Sequence, residues 1–173
     1  VLGDVNGDGH LDLVAGNYVG INKLYLNSGS GAFFNADTDG TDIGIDIDFT
    51  LSVVLGDVNS DGHLDLVAGN YGLTNKLYLN DGSGGFADSG TAIGNDADFT
   101  YSVVLGDVDG DGHLDLVAGN YGPTNKLYLN SGSGAFFNAD TDGTDIGSDQ
   151  DKTTSVVLGD VDGDGDLDLV AGN

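Results

Sequence analysis

Residues 54–70 read VLGDVNSDGHLDLVAGN, and nearly the same stretch begins at Val1, Val104 and Val157. Each copy contains the spacing D-x-[DN]-x-D-G-x-x-D, which places four oxygen-bearing side chains within nine residues. The residues that follow, such as Leu64 to Asn70, have the short alternating pattern of a β-strand. The repeated unit is therefore an oxygen-rich loop that leads directly into a strand.

The four copies divide the chain into repeats at 1–53, 54–103 and 104–156 and a partial repeat at 157–173. A period of about 50 residues is typical of solenoids, propellers and other repeat arrays. In the second repeat, four strands are predicted over 51–56, 64–70, 75–80 and from Gly85-Phe86 onward, with Asp-Gly and Gly-Ser-Gly turn signals between them. We therefore expect an all-β chain of β-propeller blades. Each blade is a four-stranded antiparallel sheet, and about three and a third blades form an incomplete ring or part of a larger assembly.

The acidic residues belong mainly to the loops. The net charge is −25, all 29 acidic residues are Asp, and 15 of them lie in the four loops. With four lysines and no arginine, the chain lacks a phosphate-binding surface, which argues against nucleic acid as a partner. There is no cysteine for disulfides or thiolate metal sites, and no apolar run approaches the length of a membrane span, about 18 residues.

The loop spacing predicts a cation cage in each copy. Side chains at the first, third, fifth and ninth loop positions offer oxygen ligands, and the seventh residue offers its backbone carbonyl. Oxygen donors select Ca²⁺ or Mg²⁺, and a flexible loop with about five protein oxygens fits Ca²⁺ better. The expected metal-binding residues are Asp4, Asn6, Asp8, His10 and Asp12; Asp57, Asn59, Asp61, His63 and Asp65; Asp107, Asp109, Asp111, His113 and Asp115; and Asp160, Asp162, Asp164, Asp166 and Asp168.

Two kinds of calcium loop begin in this way. The EF-hand needs an acid at its twelfth position and a helix on each side, whereas alanine occupies that position in every copy and the flanks alternate as strands. The nine-residue loop that enters Leu-Asp-Leu-Val-Ala-Gly, with NKLYLNDGSGGF at 75–86, resembles the FG-GAP/VCBS repeat of integrin α-subunits and bacterial surface proteins. The resemblance implies calcium-binding propeller blades. Because Ala-Gly-Asn replaces the integrin-style Gly-Ala-Pro, no integrin ligand role is carried over.

Outside the loops, an acidic segment at 37–48 recurs at 140–151 and has two interpretations. The first interpretation is a further cation site, and the second is a solvated Asx-turn loop. We favour the loop because the second repeat keeps only Asp88, Asp96 and Asp98. The carboxylates of this segment are Asp37, Asp39, Asp42, Asp46 and Asp48, with Asp140, Asp142, Asp145, Asp149 and Asp151 in the third repeat.

Two recurring side chains have both a functional and a structural interpretation. The loop histidine occurs three times and is replaced by Asp166 in the fourth copy, which argues against a catalytic base and favours an exposed side chain on a carbonyl ligand. A tyrosine follows Gly-Asn in three repeats, at Tyr18, Tyr71 and Tyr121. Its functional interpretation is that it lines a sugar pocket, and its structural interpretation is that it packs between blades. We expect inter-blade packing.

These features favour a calcium-stabilised structural or adhesion repeat protein, extracellular or on a cell surface, and a segment of a longer repetitive chain or fibre. No catalytic residue is identified, so we expect no enzyme activity. The alternatives are a carbohydrate-binding propeller lectin and an accessory propeller of a polysaccharide-degrading enzyme. Expected partners are calcium, other copies of the same repeat in cis or in trans, and a glycan or surface protein.

Overall fold

The computed structural model describes residues 1–30, 40–132 and 143–173. Within these ranges the chain forms 14 β-strands, and there is no helix long and apolar enough to cross a bilayer. The strands are β1 (Leu2–Gly3), β2 (Asp12–Ala15), β3 (Gly20–Tyr25), β4 (Thr41–Asp48), β5 (Thr50–Gly56), β6 (Asp65–Asn70), β7 (Asn75–Tyr78), β8 (Thr91–Ile93), β9 (Thr100–Gly106), β10 (Asp115–Asn120), β11 (Asn125–Tyr128), β12 (Thr144–Ile146), β13 (Ser155–Gly159) and β14 (Asp168–Gly172).

The strands form three four-stranded antiparallel sheets, β1–β4, β5–β8 and β9–β12, and one two-stranded sheet, β13–β14. Neighbours in each sheet are consecutive in the chain, so every sheet is a simple meander. None of these sheets closes into a barrel. The predicted all-β fold is confirmed, and the sheets have the form of propeller blades in an incomplete array.

The apolar core lies at the interfaces, or joints, between successive sheets. The joint between the first and second sheets and that between the second and third are built from equivalent residues. Val14 and Leu24 of the first sheet cluster with Leu66 and Tyr78 of the second. A second cluster joins the second and third sheets through the equivalent residues, among them Val67, Leu77, Leu116 and Tyr128. Each sheet is therefore stabilised chiefly by burying its faces against its neighbours, as expected for a repeat array.

A glycine at the end of the first strand allows the close approach of the next sheet. A Cβ atom on Gly56 would lie 2.7 Å from Leu105 Cδ1 and 2.9 Å from Leu114 Cδ1. Gly3 and Gly106 have the same relation to a leucine pair in the sheet that follows them. Such short distances are available only without a side chain, so this glycine sets the spacing of the blades.

The opposite end of each joint is polar and buried. The hydroxyl of Thr100, which is fully buried, donates to Asn120 Oδ1 at 2.9 Å and accepts from Asn75 Nδ2 at 3.1 Å. Asn75 belongs to the second sheet and Thr100 to the third. These bonds satisfy buried polar groups and fix how the two sheets meet, because an unpaired buried amide would be costly.

The prediction that a fourth strand begins at Gly85-Phe86 is wrong. In the second sheet the fourth strand is Thr91–Ile93, while Phe86 makes only an isolated bridge with Asn80. The reason is a closed turn: Asp81 N–H donates to the Gly85 carbonyl at 2.9 Å, and Gly85 N–H donates back to Asp81 Oδ1 at 3.1 Å. The chain leaves this turn before it rejoins the sheet.

Candidate metal centre

Each acidic loop connects the first and second strands of its sheet, and its side chains fold inward onto backbone N–H groups. In the second loop, Asp57 accepts from the N–H of Asp61 at 3.0 Å and from that of Gly62 at 2.9 Å. Asn59 Oδ1 also accepts from Asp61 N–H, and Asp61 Oδ1 accepts from His63 N–H at 2.9 Å. These Asx-type turns hold the side chains of the loop in place against its own backbone.

The ninth-position aspartate is the most deeply placed member of the loop. Asp65 is fully buried, and its two oxygens accept N–H groups of Val58 at 3.1 Å and Asn80 at 2.9 Å. Asp12 and Asp115 are equally buried and have the equivalent pair of donors. Each carboxylate oxygen keeps a second lone pair for a cation.

The second donor comes from an asparagine that sequence analysis missed. This residue ends the Leu-Tyr-Leu-Asn segment and lies 15 positions after the closing aspartate in three repeats. Its recurrence at a constant interval was the available signal, but nothing in the spacing shows that its backbone faces the loop. The residues are Asn27, Asn80 and Asn130.

The structure brings together some of the expected ligands more closely than others. In the third loop, carboxylate oxygens of Asp107, Asp109 and Asp115 lie within 4.8 Å of one another. The fourth loop has the same grouping. Asp111, at the fifth position, is outside its group and is exposed. In the first two loops an asparagine takes the third position, so those loops have three aspartates, against four in the third loop and five in the fourth. The structure, which describes both of these loops completely, shows no such carboxylate group in them.

The electrostatics of the loops favour a divalent cation. Burial raises the pKa of Asp65 and outweighs the two N–H donors, and the neighbouring charges of Asp61 and Asp57 raise this pKa further. Burial and neighbouring aspartates likewise raise the pKa of Asp115. Ionising such a group without a counter-charge is unfavourable, and a bound cation reverses that preference. The donor set, hard oxygens around a buried carboxylate, fits Ca²⁺.

The lysines are engaged with carboxylates and an aromatic ring away from the loops. Lys76 Nζ lies 2.7 Å from Asp46 Oδ1 and 3.0 Å from Asp48 Oδ2. Lys126 pairs with Asp145 at 2.7 Å, Lys23 pairs with Asp42, and Lys152 lies over the ring of Tyr121. In the described ion pairs, therefore, no lysine balances the negative charge of the loop carboxylates.

These pairs also bear on the acidic segments at 37–48 and 140–151. Asp37, Asp39, Asp140 and Asp142 lie outside the described residues. Of the described carboxylates, Asp46 and Asp145 pair with lysines as above, and Asp151 accepts from Asn173 Nδ2 at 3.0 Å. No further group of three clustered carboxylates is found outside the loops in the part of the chain that the structure describes.

The loop histidines cover the hairpin turn that follows the third strand. The His63 ring packs so closely on Gly82 that a Cβ there would lie 2.4 Å from its Cε1 atom. His10 and His113 pack in the same way on glycines of the equivalent turns. The imidazole therefore has a packing role, and it leaves the backbone carbonyl as the part of the residue available to a cation. Carbonyl ligation itself stays a prediction.

An aromatic row runs along the blade ends opposite the loops. Ring centroids are 5.3 Å apart for Tyr18 and Phe49, 4.7 Å for Tyr71 and Phe99, and 5.1 Å for Tyr101 and Tyr121. Phe49 and Phe99 lie just before the first strand of the next sheet, whereas Tyr101 lies in β9, in the sheet whose β10 directly precedes Tyr121. The expected inter-blade packing is confirmed for Tyr18 and Tyr71, whereas the ring partner of Tyr121 belongs to its own sheet and its contact toward the next sheet is Lys152. Several rings also remain open to solvent, with Tyr18 53% exposed and Phe99 42% exposed.

Two solved structures have a similar fold. A lectin of Agrocybe aegerita, described as specifically recognising non-reducing terminal N-acetylglucosamine, matches with a TM-score of 0.62 and 24% identity over 98% of this chain and 45% of its own. The V. cholerae biofilm matrix protein Bap1 matches with a TM-score of 0.53 and 19% identity over 99% of this chain and 27% of its own. The chain thus spans less than half of either protein, and at these identities the likeness concerns the fold alone.

Sequence comparison identifies the repeat. No curated protein sequence matches the chain significantly. A family model described as an FG-GAP-like repeat matches three times in register, at residues 4–68, 57–118 and 107–171. Each match begins at the first aspartate of a loop and extends to the strand of the following loop, so together they span nearly the whole chain. The chain therefore belongs to the FG-GAP-like repeat family.

Proposed function

We propose that this chain is a calcium-stabilised structural or adhesion repeat of the extracellular space or cell surface, without catalytic activity. The observation that carries the proposal is that Asp65 and Asp115 are fully buried and each closes a loop that contains further carboxylates. The described ion pairs join lysines to carboxylates outside the loops, so among them no lysine balances this charge. The fold likeness to a lectin and to a biofilm matrix protein supports a role outside the cell.

In this proposal the first, third, fifth and ninth loop residues hold Ca²⁺ and the seventh contributes its carbonyl. When bound, the cation supplies the positive charge that the buried carboxylate lacks. At free Ca²⁺ about 100-fold above the dissociation constant, each loop would stabilise the fold by about 2.7 kcal/mol. Two or three such loops rival the net stability of an ordinary domain, about 5–15 kcal/mol.

Equilibrium unfolding in denaturant, with millimolar Ca²⁺ or with EDTA, tests this function. We expect chelation to lower the free energy of unfolding by several kcal/mol. Asp111→Ala removes the fifth-position ligand of the third loop and should reduce that difference by about one loop's share. Because the Asp111 side chain is exposed, the substitution itself should cost little stability in EDTA. Asp81→Ala is the matched control, since Asp81 is also an exposed turn carboxylate that accepts backbone N–H groups. Equal stability with and without Ca²⁺ would refute the proposal.

A second candidate function, binding of a glycan, is favoured by the aromatic row. Partly exposed rings such as Tyr18 and Phe99 offer faces or edges to sugar rings, and the strongly acidic chain disfavours anionic polysaccharides. Calorimetry with N-acetylglucosamine oligomers in millimolar Ca²⁺ is the test, with the free monosaccharide as competitor. Tyr18→Ala should abolish any binding, while Leu129→Ala, at a 50% exposed apolar residue outside the row, should not.

The accessory propeller of a polysaccharide-degrading enzyme remains a proposal of a different kind, because it needs a catalytic domain outside these residues. A longer gene sequence with such a domain would support it. For this chain alone, the same glycan-binding experiment distinguishes it from a purely structural role.

A further inference from the structure

Buried hydrogen bonds connect the first and second metal loops to the sheet that follows each of them. Asn80, which is 4% exposed, donates through Nδ2 to the backbone carbonyl of Val5 at 2.8 Å, in the first loop. Its own N–H donates to Asp65 in the second loop. The N–H of Val5 in turn donates to Asp12 Oδ2 at 2.9 Å. One asparagine thus connects the closing aspartates of two successive loops.

The next joint repeats this connection. Asn130, which is 2% exposed, donates through Nδ2 to the Val58 carbonyl at 2.8 Å and through its N–H to Asp115 at 2.7 Å. Val58 N–H donates to Asp65 Oδ2. The result is a continuous hydrogen-bonded chain through three loops, in the order Asp12, Val5, Asn80, Asp65, Val58, Asn130 and Asp115.

The asparagine side chain has little freedom to rearrange within this chain. Besides the bond to Val5, Asn80 Nδ2 donates to the Leu64 carbonyl at 3.0 Å, and Asn80 Oδ1 accepts from Gly82 N–H at 3.1 Å. Both ends of the amide are therefore committed. In a buried network, a displacement of one member has to be accommodated by its neighbours, because an unpaired group there is costly.

We propose that Asn80 and Asn130 are positioning residues that couple calcium binding at one loop to binding at the next. The inference rests on the proposed calcium function. Holding Asp65 in its ligating position holds the Asn80 backbone, which places the amide on Val5 and so steadies Asp12. The first three loops then bind Ca²⁺ cooperatively. Among the described residues of this segment, Asp168 of the fourth loop accepts from Val161 N–H and from no asparagine, so in this segment the fourth loop stands outside the hydrogen-bonded chain and serves as the reference.

A residue-resolved Ca²⁺ titration by NMR tests the coupling, because the sixth residue of every loop is a glycine whose N–H donates to the first aspartate. Asp111→Ala removes the fifth-position ligand of the third loop and no member of the hydrogen-bonded chain, and the loss of the Ca²⁺-dependent shift of Gly112 shows that the third loop no longer binds. We expect this substitution to weaken Ca²⁺ binding at the second loop at least about fivefold. Asp164→Ala, the matched change in the fourth loop, should leave the second loop unchanged. The reporter amides are Gly9, Gly62, Gly112 and Gly165.

The role of the asparagine is tested in the background of Asn130→Ala. In that background, adding Asp111→Ala should no longer weaken Ca²⁺ binding at the second loop. Asn27→Ala is the control, because the Asn27 amide donates to the Leu11 carbonyl within its own sheet. A purely structural asparagine would lower stability in EDTA without changing this transmission. The comparison of Asp111→Ala with Asp164→Ala keeps both asparagines, so an absence of coupling there overturns the proposal even if Asn130→Ala does not fold. The Asn130→Ala arm separates the asparagine from the direct contact between Ser60 Oγ and His113 Nδ1, which are 3.4 Å apart.

The outcomes separate the two proposals. If no loop glycine shifts with Ca²⁺, the calcium function itself is wrong. If all loops bind Ca²⁺ but the second loop has the same affinity in wild type, Asp111→Ala and Asp164→Ala, the coupling alone is wrong. A fivefold loss confined to the variant of the third loop supports it.

Discussion

The third and fourth metal loops differ in sequence only at His113 and Asp166, yet their closing aspartates lie in different surroundings. Asp115 is fully buried and accepts two N–H groups, one of them from the hairpin after the third strand. Asp168 is partly exposed and accepts one, from a valine that is itself 68% exposed. A loop motif therefore specifies only part of a site, and the hairpin of its own blade and the next blade supply the rest.

The largest expected effect comes from removing the closing aspartate in each loop. In EDTA, Asp115→Ala should lower the free energy of unfolding by about 2–4 kcal/mol, because two buried N–H groups lose their acceptor. Asp168→Ala should cost less than about 0.5 kcal/mol, because water replaces the carboxylate at an exposed loop. Urea denaturation followed by circular dichroism measures both. Equal losses of free energy would contradict the difference in burial and hydrogen bonding between Asp115 and Asp168.

The glycine at the end of the first strand should distinguish a covered face from an open one. A Cβ on Gly106 would lie 2.7 Å from Leu158 Cδ1, whereas Gly159 has nothing within 4 Å. We expect Gly106→Val to cost about 1–3 kcal/mol through overpacking. Gly159→Val should stay within about 0.5 kcal/mol of wild type. Thermal unfolding of the two variants is the measurement, and a large loss for Gly159→Val would contradict the open face.

The charged bridge between the first two sheets predicts an acid-dependent stability that is separate from the metal loops. Burial tends to raise the pKa of Asp46, but hydrogen bonds from Lys76, Gly90 N–H and Tyr78 O–H outweigh it and lower this pKa below its ordinary value. The stability contributed by a carboxyl of lowered pKa is present above its unfolded value, near 3.8, and is lost as the pH falls through the folded value.

In EDTA, where the loops hold no metal, the wild type should therefore lose up to about 1 kcal/mol more than Lys76→Met as the pH falls from about 5 to about 3. Lys152→Met is the control, because Lys152 lies over a tyrosine ring and not in this bridge. Chemical denaturation at a series of pH values provides the free energies. Parallel pH profiles for wild type and Lys76→Met would rule out this role of the bridge.

The smallest effect is expected at the fourth position of the second loop. Ser60 has a φ angle of 60°, while the glycines at the same place in the other loops have φ angles of 73°, 77° and 82°. A left-handed conformation costs a residue with a side chain about 1 kcal/mol. Ser60→Gly should therefore stabilise the protein by about 0.5–1 kcal/mol, and Gly110→Ser should destabilise it by a similar amount. A destabilising Ser60→Gly would show that the serine hydroxyl matters more than the backbone.

Much of the fold was predictable because the signals are local. The alternating segments around Asp65 and Lys76 became β6 and β7, and the turn signals between them became turns. The fourth strand was misplaced because Asp81 and Gly85 close a turn through hydrogen bonds that strand propensity does not register. The acidic loops could be located from their spacing, but the spacing does not show that Asp111 lies outside the carboxylate group of its loop, and metal binding by these residues stays a prediction.

The sequence by itself determined the repeat, the loop chemistry and the strand order, because each depends on residues within a few positions of one another. Only the tertiary structure showed which residues outside a loop reach its closing aspartate. The bond from Asn80 to Val5 joins residues 75 positions apart, and that from Asn130 to Val58 joins residues 72 apart. Such pairs meet only after two sheets have packed. That packing depends on the glycine at the end of the first strand, such as Gly56, which contacts two leucines of the following repeat. The N–H donors to Asp65 and Asp115 come from the blade of the carboxylate itself, because its hairpin folds back over the loop, and the packing of two blades adds the bond that links each asparagine to the preceding loop.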